Sequence, residues 1–557
     1  MATLLVGVLL VGMAVLLWPG GKPPEQERAE AFAAAWSRGD YPRMYAELTA
    51  EDRRTVTLED FTAAYRAAAQ TATTASLRAS EASEPKDGVV TVPMTVSTRA
   101  FGTVRATLTL AFAGTEDDAH IDWDRHLTFP GLARGEKLTR ESQVARRATI
   151  LARDGTPLAQ GPERSSPIAD VASSIVGELG PAPAERADGL RARGFPSDAR
   201  VGLSGLERVF DDRLAGRPGG LLRAGSRTIA SRLPRPGSAV HTSIDPAVQR
   251  AAVEAQSARF GGVAAIRPRT GEILALSGVA FSGLQPPGST FKIVTLTGVL
   301  QAGLAGPNST YPVQTSTEIE GVEIENANGE SCGGSLRTSF AHSCNSVFAP
   351  LGAKLGPERL VKVAEAFGFN TDIGIAGAAT STIPSADEIG DPLAVGSSAI
   401  GQGRVQATAL QMAWVAATIA GRGKRPQLTL ERSSRVRRTQ TVDAGTARTV
   451  GRYMEAVVNE GTGTAAKIAG VRVAGKTGTA ELRDTSTPDC VPTDAVPECP
   501  PVEPDDPTDT DAWFSAYAPA AKPRIAVGVL LVGSGAGGET AAPVARQVLV
   551  AGLKATA

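Results

Sequence analysis

The sequence predicts a multidomain α+β protein, and three observations lead there. A chain of 557 residues exceeds what one hydrophobic core can serve, so three or four folding units are expected. Near the N-terminus, apolar residues recur at helical spacing in Glu25 to Arg38 and Leu58 to Ala68, and the text then switches to the period-two alternation of Val89 to Gly114. From His241 onward strands and helices mix, with GGVAAIRPRTGEILALSG reading as two strands joined by a Pro268 to Gly271 turn.

Taken in order, Ala2 to Trp18 is an uncharged, almost wholly apolar run of 17 residues closed by Pro19, Gly20 and Gly21. As a helix it reaches about 25 Å, the short end of what crosses a hydrocarbon core of about 30 Å. Residues 1–22 are therefore expected to form a single-pass anchor in the cell membrane, with the remaining domains extracytoplasmic. No small-x-small site follows the run and no cysteine is near it, which argues against a cleaved signal peptide and a lipoprotein. Residues 25–143 read as helices followed by a curved antiparallel sheet, with Ile121 to Phe129 expected as one more strand. Arg153, Asp154 and Gly155 form a turn, and the Pro-, Gly- and Arg-rich stretch around it, 144–240, reads as an extended pedestal with short helices such as Leu206 to Leu214. The largest domain, 241–557, ends in a strand over Ile525 to Val532 and a helix over Ala541 to Gly552.

Composition narrows the function classes. A hydrophobic share of 42% and a charged share of 21% exclude a polytopic membrane protein and a mostly disordered chain. With 57 basic against 58 acidic residues there is no field to attract nucleic acid, so small-molecule, peptide or protein partners are favoured. Four cysteines without Cys-x-x-Cys pairing suggest neither a disulfide scaffold nor a structural zinc site, and no metal or cofactor is called for. The four histidines, His120, His126, His241 and His342, are scattered, and His342 would point away from its neighbour Ser343 on a helix, so none is given a catalytic part.

Three short motifs carry the chemistry. Ser289-Thr290-Phe291-Lys292 follows Pro286-Pro287-Gly288, a turn that ends where a helix starts. Residues three apart share a helix face, so the Ser289 hydroxyl and the Lys292 amine are expected within hydrogen-bond reach. A lysine desolvated between helices has its pKa lowered and can take the serine proton without a histidine. Ser343-Cys344-Asn345 is expected on a loop after a helix, where a second hydroxyl can relay a proton and the asparagine amide can hold a peptide backbone. Lys476-Thr477-Gly478-Thr479 is expected on an edge strand, offering a fixed charge, two hydroxyl donors for a carboxylate and a glycine that lets a ligand approach. Each alone is commonplace: a surface helix, a cap, an exposed strand. Ser-x-x-Lys, a Ser-x-Asn element and Lys-Thr-Gly in that order are together the set used by penicillin-binding proteins and class A β-lactamases.

The chain resembles a class B penicillin-binding protein, a monofunctional D,D-transpeptidase. The resemblance is carried by VGLSGLERVFDDRLAGRPGG (201–220), TSIDPAVQRAAVEA (242–255), QPPGSTFKIVT (285–295), SFAHSCNSVFA (339–349), AIGQGRVQATALQMA (399–413) and AWFSAYAP (512–519). Residues 25–143, ending in DWDRHLTFPGLARGEKL, more loosely resemble the nuclear transport factor two-like domain of resistance-type members. The resemblance implies a dimerisation or pedestal domain over 144–240 and, over 241–557, a serine transpeptidase/β-lactamase-like domain with an antiparallel sheet flanked by helices. It also implies a mechanism: Lys292 deprotonates Ser289, which attacks the penultimate D-Ala carbonyl of a stem peptide ending in D-Ala-D-Ala. The Ser289 and Thr479 amides stabilise the oxyanion, Ser343 passes a proton to the departing D-Ala, and Lys476, Thr477 and Thr479 hold its carboxylate. β-Lactams enter by mimicry, and a wall polymerase is an implied partner. A β-lactamase would need a deacylating carboxylate that has no motif here, and a bifunctional enzyme would need its own glycosyltransferase domain. A D,D-carboxypeptidase, or a catalytically weak structural subunit of the wall-synthesis complex, remains the alternative.

The remaining cysteines fall in two places. Asp484 to Asp511 holds nine acidic residues, seven prolines and no Lys or Arg, which cannot form a core and reads as an enlarged hairpin loop. Cys490 and Cys499 within it are expected to pair in an oxidising compartment. Cys344 is expected to be a small buried thiol, and its pairing with Cys332 is the rival. Gly401-Gln402-Gly403 matches a family turn and equally a plain glycine turn.

Overall fold

The structure, a computed structural model, describes residues 22–114, 118–432, 437–481 and 510–555. The apolar run and the proposed Cys490–Cys499 pair lie outside the described residues, and among those described no helix is long and apolar enough to cross a membrane. The chain divides into two units: Met1–Ala145 with Ala182–Ala199 and Gly216–Pro236, and Arg146–Pro181 with Arg200–Ala215 and Gly237–Ala557. The stretch 144–240, read as one pedestal, is thus shared between them.

In the first unit, α1 (Pro24–Arg38) has Pro24 in its first turn, acidic Glu25 and Glu27 against the helix dipole, and a left-handed Gly39 at its end. Two short helices that periodicity did not reveal follow, α2 (Tyr41–Ala46) and α3 (Ala50–Thr55), capped by Asp40 and Thr49 side chains. Then comes α4 (Leu58–Ala72), capped by Thr57. Strands β1 (Thr74–Ala79), β2 (Val89–Thr98), β3 (Gly102–Ala113) and β4 (His120–Asp122) form an antiparallel sheet in that order. Phe32, Phe61, Tyr65, Val90, Val92 and Leu108 are buried between helices and sheet. The strand expected over Ile121 to Phe129 stops at Asp122, and Arg125–Thr128 is a 3₁₀ turn. Trp123 ends the strand: its backbone N–H donates to Asp52 Oδ2 at 3.0 Å and its indole N–H to Tyr65 OH at 3.2 Å, so both are taken by the helical layer. The unit's second sheet joins β5 (Leu138–Gln143) to β6 (Gly219–Ala224) and β7 (Arg227–Arg232).

The second unit is built on a five-stranded antiparallel sheet: β8 (Gly261–Ile266), β9 (Ile273–Gly278), β10 (Ala474–Glu481), β11 (Thr510–Ala518) and β12 (Ile525–Leu531), in spatial order β9-β8-β12-β11-β10. Both faces are covered, which explains why IAVGVLL reads as a continuous apolar run rather than an alternation. Val263, Ala265, Phe514 and Val527 face α5 (Pro246–Gln256) and the C-terminal helix, Ala541–Ala555. Ala264, Ile266, Trp513 and Leu530 face the larger core, which holds α6 (Lys292–Gln301) and the helix Ala409–Ala420. In the irregular segment of this unit, buried Glu207 is paired with Arg147 and Arg164, both at 2.6 Å, and Arg147 also reaches Asp211 at 2.8 Å. Removing one partner would leave a buried charge uncompensated.

Where the helix Ala409–Ala420 crosses β12, the approach is set by Gly528: a Cβ there would lie 2.0 Å from Ala409 O and 2.6 Å from Ala413 N. Gly528→Val therefore has to push a helix backbone off the sheet, and a loss of about 3 kcal/mol or more of stability is expected. Chemical denaturation of the two proteins checks it, and equal midpoints would show that the helix yields freely.

Candidate active site

The site begins with a turn tightened by two glycines. Gly288 has φ +50°, and a Cβ on it would lie 2.5 Å from Thr479 O, so the segment before Ser289 lies directly against the Lys-Thr-Gly strand. Its N–H donates to Gly401 O at 3.0 Å, and Gly401, φ +83°, admits Gly288 O where its own Cβ would be 2.0 Å away. The Gly401-Gln402-Gly403 turn is thus a direct support of the Ser289 turn. Residues 288–291 form a 3₁₀ turn, fastened by the Thr290 hydroxyl on Pro287 O at 2.6 Å, and α6 continues from Lys292. Ser289 is half-buried at its start, and Lys292 is fully buried.

The Ser343-Cys344-Asn345 element links α7 (Leu336–Ala341) to α8 (Asn345–Leu355). Ser343 has φ +64°, a left-handed conformation that costs a non-glycine residue about 1 kcal/mol or more. In it, Ser343 presents both its carbonyl and its hydroxyl to Lys292 Nζ, at 2.6 and 3.3 Å, and Asn345 Oδ1 accepts from the same amine at 2.6 Å. From the opposite side Lys476 Nζ, on the edge strand β10, donates to Ser343 Oγ at 2.8 Å and to Thr477 O at 3.0 Å. One hydroxyl therefore stands between two amines that are both 0% exposed.

Burial followed by the neighbouring Lys476 charge holds the Lys292 amine well below the usual lysine range, and burial pushes Lys476 down to about 7. Aromatic rings offset part of the desolvation: Lys292 Nζ lies 5.8 Å from the Phe348 ring centre and Lys476 Nζ 5.7 Å from that of Phe340. The structure brings the three motifs together: Ser343 meets Lys292 and Lys476, and the turn bearing Ser289 packs on the Lys-Thr-Gly strand, with Gly288 against Thr479 O and Gly478 against Pro287 O. One difference from expectation lies at the nucleophile: among the described residues no hydrogen bond joins Ser289 Oγ to Lys292. The Lys292 amine is engaged instead by the Ser343 carbonyl, the Asn345 amide oxygen and the Ser343 hydroxyl, and the two carbonyl-type oxygens are stronger acceptors than the Ser289 hydroxyl. Such contacts commonly close only when substrate enters.

Cys344 is not a free thiol; it is disulfide-bonded to Cys332, with a Cα–Cα separation of 5.6 Å. The strand Cys332–Ser335 pairs with Thr310–Gln314 and so places Cys332 beneath the start of α8. The same segment supplies two supports that the sequence did not signal. Glu325 O accepts from Asn345 Nδ2 at 2.8 Å, and the buried Asn326 accepts the Ser346 N–H at 2.9 Å. His342 follows the last residue of α7 and is exposed.

A family model described as the penicillin binding protein transpeptidase domain matches residues 261–550 of this chain. The chain belongs to the penicillin-binding protein transpeptidases. An NTF2-like N-terminal transpeptidase domain matches 24–136 and a penicillin-binding protein dimerisation domain matches 155–224, which is class B penicillin-binding protein architecture. Peptidoglycan D,D-transpeptidase PbpA of Mycolicibacterium smegmatis is 33% identical over 418 residues, spanning 63% of this chain and 80% of its own. Solved structures similar to the chain include the following two. Penicillin-binding protein A from M. tuberculosis, a ceftriaxone acyl-enzyme complex, has 26% identity and a TM-score of 0.57, covering 73% of this chain and 98% of that one. Pseudomonas aeruginosa PBP2, in complex with WCK 5153, has 25% identity and a TM-score of 0.61, covering 74% of this chain and 96% of that one. The α+β fold with a sheet between helices agrees with the expectation for this penicillin-binding protein.

The lysine pair couples stability to pH. A lysine whose folded pKa lies below its unfolded value contributes stability that is complete above the unfolded pKa and is lost as pH falls toward the folded one. For Lys476 that window runs from 10.5 down to about 7. The unfolding free energy of the wild type minus that of Lys476→Met is expected to rise with pH across the window, by at most about 1.4 kcal/mol per pH unit. Urea titrations at several pH values measure it, and a difference that stays flat would place a charged Lys476 in the fold.

Proposed function

We propose that Ser289 is the nucleophile of a serine-type D,D-transpeptidase that cross-links stem peptides ending in D-Ala-D-Ala and is acylated by β-lactams. One observation carries the reading: Ser343 Oγ is shared by Lys292 and Lys476, with the turn bearing Ser289 packed against the strand bearing Lys476. A neutral Lys292, favoured by its burial, takes the Ser289 proton as Oγ attacks the penultimate carbonyl. The Ser289 and Thr479 amides stabilise the oxyanion, a contribution of roughly 3 to 4 kcal/mol per donor in comparable sites. Ser343, in contact with both amines, relays the proton from Lys292 to the departing D-Ala nitrogen, and an acceptor amine then releases the acyl group from Ser289. Lys476, Thr477 and Thr479 hold the donor carboxylate, and Asn345 both fixes Lys292 and presents an amide to the peptide. Membership of the transpeptidase family and the acyl-enzyme structure of a relative support the assignment.

Incubation with a labelled penicillin is expected to give one covalent label per chain on the Ser289 peptide, and none on Ser289→Ala. A label that survives the substitution would remove Ser289 from the mechanism. A stem peptide offered with a second amine distinguishes cross-linking from D,D-carboxypeptidase action by its product.

The reading extends to place: residues 1–22 anchor the chain in the cell membrane with the site outside, where a wall polymerase is a partner. The uncharged apolar run supports this. Full-length protein is expected in the membrane fraction and a chain lacking residues 1–21 in the soluble fraction. Recovery of both in the soluble fraction would argue against an anchor.

A further inference from the structure

The carboxylate side of the site has a support that no motif contains. The helix Ala444–Glu460 ends beside α7, where Glu460 is ion-paired with Arg337. Gly461 then passes so close that a Cβ on it would lie 2.1 Å from Ala341 O, two residues before Ser343. Thr462 follows, and its N–H donates to that oxygen at 3.2 Å. Its hydroxyl lies 2.6 Å from Thr477 Oγ1, a short contact in which either oxygen can be the donor. On the other side Gly538 closes the space, since a Cβ there would lie 2.3 Å from Thr462 O and 3.6 Å from Thr477 Cγ2. Thr462 is thereby tied at once to the end of the helix that precedes Ser343 and to the strand that carries Lys476.

Each threonine hydroxyl has one proton, so the direction of this bond decides what Thr477 can offer a ligand. The other acceptor near Thr462 Oγ1 is Ala341 O at 3.5 Å, which is at the limit of hydrogen bonding and already takes the Thr462 N–H. When an anion lies beside Thr477, a charge-assisted bond from the Thr477 proton is the stronger choice, and Thr477 Oγ1 must then accept from its neighbour. We propose that Thr462 is a positioning residue for substrate: its hydroxyl donates to Thr477 Oγ1, turning the Thr477 proton toward the carboxylate of the donor peptide or β-lactam. This deepens the reading of Lys476, Thr477 and Thr479 as the carboxylate holders and rests on it.

The test compares benzylpenicillin with its neutral methyl ester. Acylation of Ser289 is followed against ligand concentration in wild type, Thr462→Val and Thr462→Ser. For the free acid, Thr462→Val is expected to raise the half-saturating concentration about tenfold while the limiting acylation rate stays within about twofold, and Thr462→Ser to restore the wild-type value. For the methyl ester, wild type and Thr462→Val are expected to match. Equal loss for acid and ester, or failure of serine to rescue, would assign Thr462 a purely structural part and overturn the proposal; so would unchanged saturation by the acid. If the valine variant does not fold, Thr462→Ala replaces it with the same expectations. A wild type that penicillin does not acylate would instead defeat the reading of Ser289.

Discussion

The second unit is organised around a costly arrangement: two lysine amines buried on one serine hydroxyl. Neither Lys292 nor Lys476 is exposed, and each unshared ammonium would carry several kcal/mol of desolvation penalty. The surroundings answer that cost at every point. Ser343 is held in a left-handed backbone conformation so that its carbonyl and hydroxyl both face Lys292, Asn345 supplies a third acceptor, and Phe340 and Phe348 lie beneath the two amines. Asn345 can do this because its own amide is fixed by Glu325 O, and Ser343 because Cys344 is bonded to Cys332. In the proposed mechanism the cost has a chemical return, since amines that lose their protons easily are what proton transfer near neutral pH requires.

Glycine makes the convergence geometrically possible. The three motifs sit on a helix start, an inter-helix turn and an edge strand, and each meeting of backbones falls at a residue without a side chain. Gly288 meets Thr479, Gly401 meets Gly288, and Gly537 meets Gly478, where a Cβ would lie 2.2 Å from the Gly478 carbonyl oxygen. Elements that approach this closely cannot shift independently, which suits a site whose reacting atoms must be held within fractions of an ångström.

Much of this was legible in the sequence, and what was not has a common cause. The helices at Glu25 and Leu58, the hairpin through Pro268 to Gly271 and the final strand and helix followed from local signals, namely apolar spacing, turn residues and a continuous apolar run, because each is decided by its own side chains. The motif residues stood out because their chemistry is unusual in combination. By contrast, Asn326, Thr462 and the Cys332–Cys344 bond are made by segments that meet only in the folded chain, and a lone threonine or asparagine in a loop has no local signature. The strand expected through Phe129 failed for the same reason, since Trp123 is claimed by Asp52 and Tyr65 from helices far back in the sequence. The hydroxyl of Ser289 was paired with Lys292 by spacing alone, whereas the amine's partners come from a turn some fifty residues later.

The interleaving of the two units bears on how the chain is assembled. The first unit is not complete when its helices and four-stranded sheet have been made, because β5 ends at Gln143 and its hydrogen-bonding neighbour β6 begins only at Gly219. During synthesis β5 waits as an unpaired edge while a stretch destined mostly for the other unit is produced, and pairings across such separations form late. A fragment cut at Ala145 would keep the apolar centre of the first sheet yet expose the row of N–H and C=O groups along β5, a template for association with other chains. Dissection of this protein into soluble pieces therefore has to respect contacts that return to the first unit as far along as Pro236.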